Sequence, residues 1–227
     1  MNIFANRYSL KNNMDIKGVI TGDIISSTTI ETKWKKFLLN TIQKVVGELK
    51  ILSPSKIEMF RGDSFQIIVD KPEAALKVAV LLRAGLRGNT PKGSKQPWDA
   101  RIAVGIGEIS YQSEEVVVSD GEAFHFSGWE FDELGKRRLS IRTRWSNVNE
   151  ELKVSTAFAD DIISHWSVTQ AEVVYLALLL QKPQKDIALK TNKTTQSISK
   201  LVSAGKENLI RIYLERYSNI ILKYNTI

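Results

Sequence analysis

Two aspartates in this chain of 227 residues each follow a glycine next to a strand-like apolar run. Asp23 comes after the run 17–21, and Asp63 lies in a turn between the runs 56–60 and 65–69. Glycine and aspartate suit tight turns, so the second pair predicts a β-hairpin. If the strands are neighbours, the two carboxylates meet at one sheet edge and could hold magnesium and the phosphates of a nucleotide. Two ordinary turn aspartates are the alternative.

The elements that would position these carboxylates follow from the apolar spacing. Helical periodicity runs through 34–49 and again through 74–86, and a strong strand pattern occupies 101–111. The order strand, helix, hairpin, helix, strand predicts a ferredoxin-like βαββαβ sandwich of the α/β (α+β) class, with helices on one face of a mostly antiparallel sheet. In that topology the first and third strands are adjacent, which would bring Asp23 beside Asp63.

Local sequence patterns predict further helix and strand boundaries in this region. Thr28 with Glu31 three residues later fits a capping box that opens the first helix. We also predict a short strand at 114–118, a helix at 123–134 and an edge strand at 139–145.

Residues 17–145 resemble the class III nucleotide cyclase and GGDEF fold, and within it the SatD-like family of bacterial proteins. The resemblance lies in four segments, which are Val19–Ser27 (VITGDIISS), Phe60–Phe65 (FRGDSF), Val104–Ile109 (VGIGEI) and Ser119–Phe124 (SDGEAF). It implies that Asp23 and Asp63 bind two metal ions, magnesium or manganese, which activate the ribose hydroxyl and clamp the triphosphate. The nucleotide site implied by the resemblance comprises Ile24, Ile25, Ser26, Ser27, Arg61, Gly62 and His125.

The chain departs from the cyclase pattern after the Asp-Gly turn. Cyclases place an asparagine and then an arginine there, four residues apart, and this chain has His125 and Trp129. An uncharged indole cannot supply the charge stabilisation that arginine gives. Ser64 replaces the acid of the GGDEF-type turn. We interpret His125 as a partly buried polar residue or a proton shuttle, and Trp129 as a core or interface residue rather than a base-stacking platform.

The chain divides on this interpretation into three parts. A nucleotide-cyclase-like domain occupies 15–148, a connecting helix 149–166, and a small all-α unit 167–227. Thr169 with Glu172 fits a second capping box at the start of this helical unit.

The most specific pattern in the helical unit is Asp186–Leu201 (DIALKTNKTTQSISKL). Ala188 is small where two helices must cross closely, and Asn192 tolerates the left-handed conformation of a turn. We predict a long helix from Thr195 to about Lys223. The pattern resembles the helix-turn-helix of bacterial regulators and sigma-factor-like domains, which read the major groove with the second helix.

By that resemblance, short polar side chains would face DNA and lysines would contact phosphates. The residues facing DNA are Thr194, Thr195, Gln196, Ser197, Ser199 and Lys200, and the additional phosphate contacts are Lys190, Lys193 and Lys206. The formal charge agrees, because residues 167–227 carry +5 of the total +7. A solvated basic face on a packing or dimerisation module is the alternative.

Composition restricts the remaining classes of function. The absence of cysteine excludes disulfides and thiol chemistry and fits a cytoplasmic protein. Two histidines disfavour a histidine-based zinc site. No stretch approaches the roughly 18 apolar residues of a membrane span, and residues 1–16 lack the apolar core of a signal peptide.

These patterns predict a bacterial cytoplasmic regulator, expected to form a homodimer. In it, a degenerate cyclase-like domain binds a nucleotide and a helix-turn-helix unit binds DNA. The alternative is an active metal-dependent nucleotidyl cyclase whose helical tail serves dimerisation or docking. A third hypothesis is a partner-binding protein with a degenerate pocket.

Overall fold

The fold contains one five-stranded sheet. The structure is a computed structural model that describes residues 15–60, 62–110, 116 and 119–225, and all counts below refer to these residues. The strands are β1 (Ile16–Ile24), β2 (Ser55–Phe60), β3 (Ser64–Val69), β4 (Ala100–Glu108) and β5 (Leu139–Thr143).

The described residues also form eight α-helices and a short 3-10 turn at Ser27–Thr29. The helices are α1 (Thr32–Leu49), α2 (Pro72–Gly88), α3 (Glu122–Asp132), α4 (Ser146–Ser164), α5 (Val168–Leu180), α6 (Gln184–Thr191), α7 (Thr195–Ala204) and α8 (Glu207–Asn225). Within the described residues, no helix combines the length and the apolar character that crossing a bilayer requires.

The strand order confirms the predicted sandwich. The sheet runs β2-β3-β1-β4-β5, and β1 is antiparallel to both β3 and β4. That is the order of a βαββαβ unit, with β5 added in parallel beside β4. The hairpin predicted around Asp63 forms β2 and β3.

The two faces of the sheet differ because side chains alternate along each strand. Ile20, Phe65 and Ile67 belong to the main core, together with buried side chains of α1 and α2. Val19 and Ile68 belong instead to a small cluster with α3 residues on the opposite face. Helices therefore cover both faces, whereas the sequence predicted helices on one face only.

The close packing of α3 on β4 depends on a glycine in β4. A Cβ atom added at Gly105 would lie 2.1 Å from the carbonyl oxygen of Ala123, which is a severe overlap. Gly105 therefore permits a close approach between the backbones of β4 and α3.

The helical unit packs directly on the α/β part. Buried side chains of α2, α5 and α8 belong to one continuous apolar cluster. The hydroxyl group of Tyr217 in α8 donates to the carbonyl oxygen of Pro72 in α2 at 2.5 Å. The proposed boundary between the units at residue 167 therefore lies within a shared core and stays a prediction.

The predicted capping box at Thr28 and Glu31 is wrong. The helix begins later, at Thr32, and its N-cap Glu31 makes no side-chain capping bond. The preceding residues form the 3-10 turn, because Ser26 takes a left-handed conformation with φ of 54°. This turn separates Thr28 from the helix that it was predicted to cap.

The second capping box exists, but two residues earlier than predicted. Ser167 accepts a hydrogen bond from the Gln170 amide at 3.2 Å, and the Gln170 side chain accepts from the Ser167 amide at 2.8 Å. The predicted pair, Thr169 and Glu172, therefore lies inside α5. Both pairs fit the same spacing rule, so the sequence pattern alone could not select between them.

The predicted long helix from Thr195 to Lys223 is also wrong. It is broken at Gly205 and Lys206, where Lys206 has a φ of 51°. Gly205 is buried, and a Cβ atom there would meet Val174 at 2.8 Å. Close packing against α5 thus explains the glycine at the break.

Other predicted boundaries differ from the structure or lie outside the described residues. The connecting helix, predicted at 149–166, is α4 at Ser146–Ser164. The edge strand, predicted at 139–145, ends at Thr143. The short strand predicted at 114–118 lies outside the described residues, apart from Val116.

Candidate functional site

Asp23 and Asp63 occupy neighbouring positions at one end of the sheet. In the β1–β3 register, Asp23 lies opposite Ser64, the residue that follows Asp63. The Ile24 amide donates to the carbonyl oxygen of Asp63 at 3.0 Å. We call residues Asp23–Ser27 together with Asp63 the Asp23 corner.

The Asp23 carboxylate forms an ion pair with Arg101, which lies opposite it in the β1–β4 register. Nε of Arg101 donates to Oδ1 of Asp23 at 3.0 Å, and Nη2 donates to Oδ2. The hydrogen bond to Asp23 raises the pKa of Arg101. The guanidinium also lies over the ring of Phe131 in α3, with its carbon 5.3 Å from the ring centre. Sequence reasoning missed Arg101.

The loop after Asp23 is held from two sides. The Ser27 hydroxyl donates to Oδ2 of Asp63 at 2.5 Å. The Ile25 amide donates to the carbonyl oxygen of Asp99 at 3.0 Å. Between them, Ser26 adopts the left-handed conformation that side-chain-bearing residues other than asparagine and aspartate seldom take. The loop 24–27, which the resemblance assigns to the nucleotide site, therefore has a defined shape.

The donor set at this corner fits a divalent ion poorly. Magnesium requires oxygen ligands in near-octahedral geometry, yet Asp23 is bound to Arg101 and Asp63 accepts a hydrogen bond from Ser27. Across the described residues, no group of three or more His, Cys, Asp or Glu side chains is arranged to hold a metal. The metal pair implied by the resemblance stays a prediction, and an ion would have to displace Arg101.

The remaining residues of the implied nucleotide site have different environments. Gly62 has a φ of 81°, which explains glycine in the hairpin turn, and Arg61 lies outside the described residues. His125 is exposed, which makes our interpretation of a partly buried residue wrong. Its Nε2 lies 3.1 Å from Oδ1 of Asp120, and its ring stacks on Trp129 at 5.8 Å.

Trp129 is not a core residue, contrary to one of our two interpretations. It is 51% exposed on α3. The guanidinium of Arg142 lies over its ring, with the carbon 5.5 Å from the ring centre. The positions that hold the asparagine and arginine of cyclases therefore present an exposed aromatic pair.

Polar side chains also line the sheet next to Asp23. The hydroxyl oxygens of Thr21 and Ser127 lie 2.9 Å apart, and the Gln66 amide donates to Thr21 at 3.3 Å. Because Thr21 is two residues from Asp23, both side chains face α3. This cluster was also missed, although the alternation along β1 indicates it.

A second aspartate–arginine cluster lies immediately behind the corner. The Asp99 carboxylate accepts from Arg83 at 2.9 Å, Arg87 at 2.8 Å and Arg138 at 3.2 Å, and from the Ala100 amide at 2.8 Å. Burial raises the pKa of Asp99, but Arg83 and Arg87 outweigh it and lower the pKa to about 2. Two arginines four residues apart in an apolar helix were the sequence pattern that could have indicated it.

This cluster connects the corner to the helical unit. Arg87 also donates to the carbonyl oxygen of Trp166 at 2.7 Å. The Trp166 indole in turn donates to the carbonyl oxygen of Gly205 at 2.8 Å, directly after α7. Together with the bond from Ile25 to Asp99, these contacts form a continuous route from the loop 24–27 to the end of α7.

The local geometry predicted for 184–201 is present in the helical unit. Helices α6 and α7 are joined by three residues, and Asn192 is left-handed with φ of 52°. Thr194 caps α7 by accepting from the Ser197 amide at 3.1 Å. Ala188 and Ile198 are buried, as close packing of the two helices requires.

Most of the side chains assigned to DNA are exposed on this unit. The exposed set is Lys190, Thr194, Thr195, Gln196, Ser199, Lys200 and Lys206, while Ser197 is half-buried. Lys193 departs from the expected open face because it is half-buried and paired with Glu172 at 3.1 Å. Lys185 and the exposed Leu189 were missed, and both line a groove of about 360 Å³ between α6 and α7.

Two solved structures of adenylyl cyclases are similar to this chain. One is a bacterial light-regulated adenylyl cyclase, 13% identical, with 56% of this chain and 76% of that chain covered and a TM-score of 0.41. The other is an adenylate cyclase of Trypanosoma brucei in its monomeric state, 16% identical, with coverage of 54% and 71% and a TM-score of 0.38. No family model and no curated protein matches the chain. The strand order itself establishes the fold.

Proposed function

We propose that the chain is a cytoplasmic regulator whose Asp23 corner binds a nucleotide and whose α6–α7 unit binds DNA. The observation that carries this proposal is the hydrogen-bonded route from the loop 24–27 to the end of α7. It joins Ile25 through Asp99 and Arg87 to Trp166 and Gly205. A ligand that shifts the loop has a packed path by which it can shift the DNA-binding helix.

The corner suits a phosphate group because of its donors. Arg101 offers a half-exposed guanidinium, which pairs well with phosphate oxygens. The exposed Ser26 hydroxyl lies in the same loop. The sequence motifs that resemble those of nucleotide cyclases support a nucleoside phosphate as the class of ligand.

The α6–α7 unit suits DNA because its exposed side chains combine lysines with short hydroxyl and amide groups. Gln196 and Ser199 would reach base edges, and Lys190 and Lys200 would neutralise phosphates. Few cations come from one subunit, so useful specificity requires a second copy. We therefore propose a homodimer that binds two half-sites about 34–36 Å apart.

An active cyclase is the less favoured function. Trp129 stands where the cyclase resemblance implies an arginine, and its uncharged indole does not supply that cation. Among the described residues, Arg101 pairs with Asp23 and is engaged there. No observation on the described residues favours turnover over binding.

Titration of a fluorescent random-sequence duplex at two salt concentrations tests the DNA half of the proposal. We expect binding at low salt that weakens as salt rises, with a slope of about −0.9 per neutralised phosphate. Lys200→Glu should weaken binding to every sequence. Lys153→Glu makes the same charge change on an exposed residue of α4 and serves as the matched control.

The outcomes of this titration are distinct. Absence of binding at low salt would leave the helical unit as a dimerisation or docking module. Equal losses in the Lys200 and Lys153 variants would show that net charge, rather than the α6–α7 surface, governs binding.

A further inference from the structure

A guanidinium group binds the Asp23 carboxylate at the position where the cyclase resemblance implies a metal ion. Arg101 forms two hydrogen bonds with the carboxylate, one to each oxygen. Such bidentate pairs are the stronger and more directional class of ion pair. Asp23 therefore already has its charge compensated from within the chain.

The pair is built into the fold rather than formed by chance at the surface. The register of β1 and β4 places the two residues directly opposite each other. Phe131 supports the guanidinium from the α3 side, at 5.3 Å from its ring centre. Asp23 and Arg101 are 20% and 39% exposed, so a ligand can reach both.

The second predicted metal ligand is also engaged. Asp63 accepts the Ser27 hydroxyl at 2.5 Å. A divalent ion bridging the two aspartates would have to displace Arg101 from one carboxylate and Ser27 from the other. Loss of the bidentate pair would oppose binding of that ion.

We propose that Arg101 takes the place of the divalent ion, so that the Asp23 corner binds a nucleoside phosphate without metal. The nature of the ligand rests on the proposed function, whereas the exclusion of metal rests on the Arg101 pair. Nε and Nη2 hold Asp23, and no described residue accepts a hydrogen bond from Nη1. In our proposal, this third group donates to a phosphate oxygen.

Manganese binding measured by electron paramagnetic resonance tests directly whether Arg101 takes the place of a divalent ion at Asp23. The measurement requires neither nucleotide nor DNA. We expect Arg101→Gln to bind manganese at least 10-fold more tightly than the wild type, since the variant frees the Asp23 carboxylate. Asp23→Asn added to Arg101→Gln should remove the gain. Arg142→Gln removes an arginine from the same sheet face and should leave manganese binding at the wild-type level.

The variant Arg101→Lys separates the effect of the positive charge from that of the bidentate geometry. It also provides a second test if Arg101→Gln does not fold. A lysine keeps the positive charge near Asp23, so manganese binding should stay weak. Thermal melting identifies which variants are folded. Equal manganese affinity in the wild type and Arg101→Gln, including no binding by either, would overturn the proposal.

A second arm uses ATP and GTP with either excess EDTA or magnesium. We expect the nucleotide that binds to do so in EDTA with less than a 3-fold change in affinity. Binding that requires magnesium would overturn the metal-free site. If neither nucleotide binds under either condition, the nucleotide part of the proposed function is wrong, and the manganese result still decides the role of Arg101.

Discussion

Two aspartate–arginine contacts lie near the start of β4, and they differ in exposure. Asp99, which precedes the strand, belongs to one, and Arg101, two residues later, belongs to the other. Asp99 is 2% exposed and accepts hydrogen bonds from three arginines. Asp23 is 20% exposed and, among the described residues, its ion pair is with Arg101. A fully surrounded pair can only hold the structure together, whereas a half-exposed pair can exchange partners with a ligand. The same residue types thus give a structural cluster at one place and, in our proposal, a binding site at the other.

The variant Asp99→Asn should have the largest effect on stability and is the strongest test of this difference. The variant removes one of the two carboxylates that pair with the fully buried guanidinium of Arg83, and Asp160 is the other. Removing one member of a buried pair typically costs about 3–5 kcal/mol, so we expect a loss of that order in the free energy of unfolding. Urea denaturation followed by tryptophan fluorescence measures it. A loss below about 1 kcal/mol would contradict a structural role for this cluster.

The pH dependence of stability gives the next largest effect. The pKa of Asp99 is lowered to about 2 in the folded chain, below the value of about 3.9 for an unperturbed aspartate. Its contribution is therefore complete above about pH 4 and is lost as the pH falls towards 2, on the order of 2 kcal/mol. Urea denaturation at pH 5 and pH 2.5 should show the difference between the wild type and Asp99→Asn shrinking. A difference that stays constant over that range would contradict the low pKa.

Asp23→Asn should give the smallest change in the free energy of unfolding, and so it tests whether the two pairs differ in their structural role. Exposed ion pairs contribute about 0–1 kcal/mol, because solvent screens them. We expect a loss within that range in the same urea experiment, together with weaker nucleotide binding. A loss as large as that of Asp99→Asn would show that both pairs are structural.

The sequence predicted the fold well because its information was local. The Gly-Asp turn between two apolar runs identified the hairpin, and helical periodicity identified α1 and α2. The adjacency of Asp23 and Asp63 then followed from the βαββαβ order. The turn at Asn192 was predicted for the same reason, since a single residue type indicates a left-handed conformation.

The partners of the functional residues could not be predicted in this way. Arg101 lies 78 residues from Asp23, and their contact depends on the register between β1 and β4. A shift of one residue would turn Arg101 to the other face of the sheet. The break at Gly205 was missed although the residue is a glycine, because its need arises from packing against Val174 in another helix.

The most direct test of the proposed function is the affinity for duplex DNA with and without a saturating nucleotide. Saturation is established first by a separate calorimetric titration of the nucleotide. We predict a change in the dissociation constant of about 5- to 150-fold, the usual range for coupling between two sites. By linkage, saturating DNA should change the nucleotide affinity by the same factor. Identical DNA affinity with and without the bound nucleotide would contradict the account.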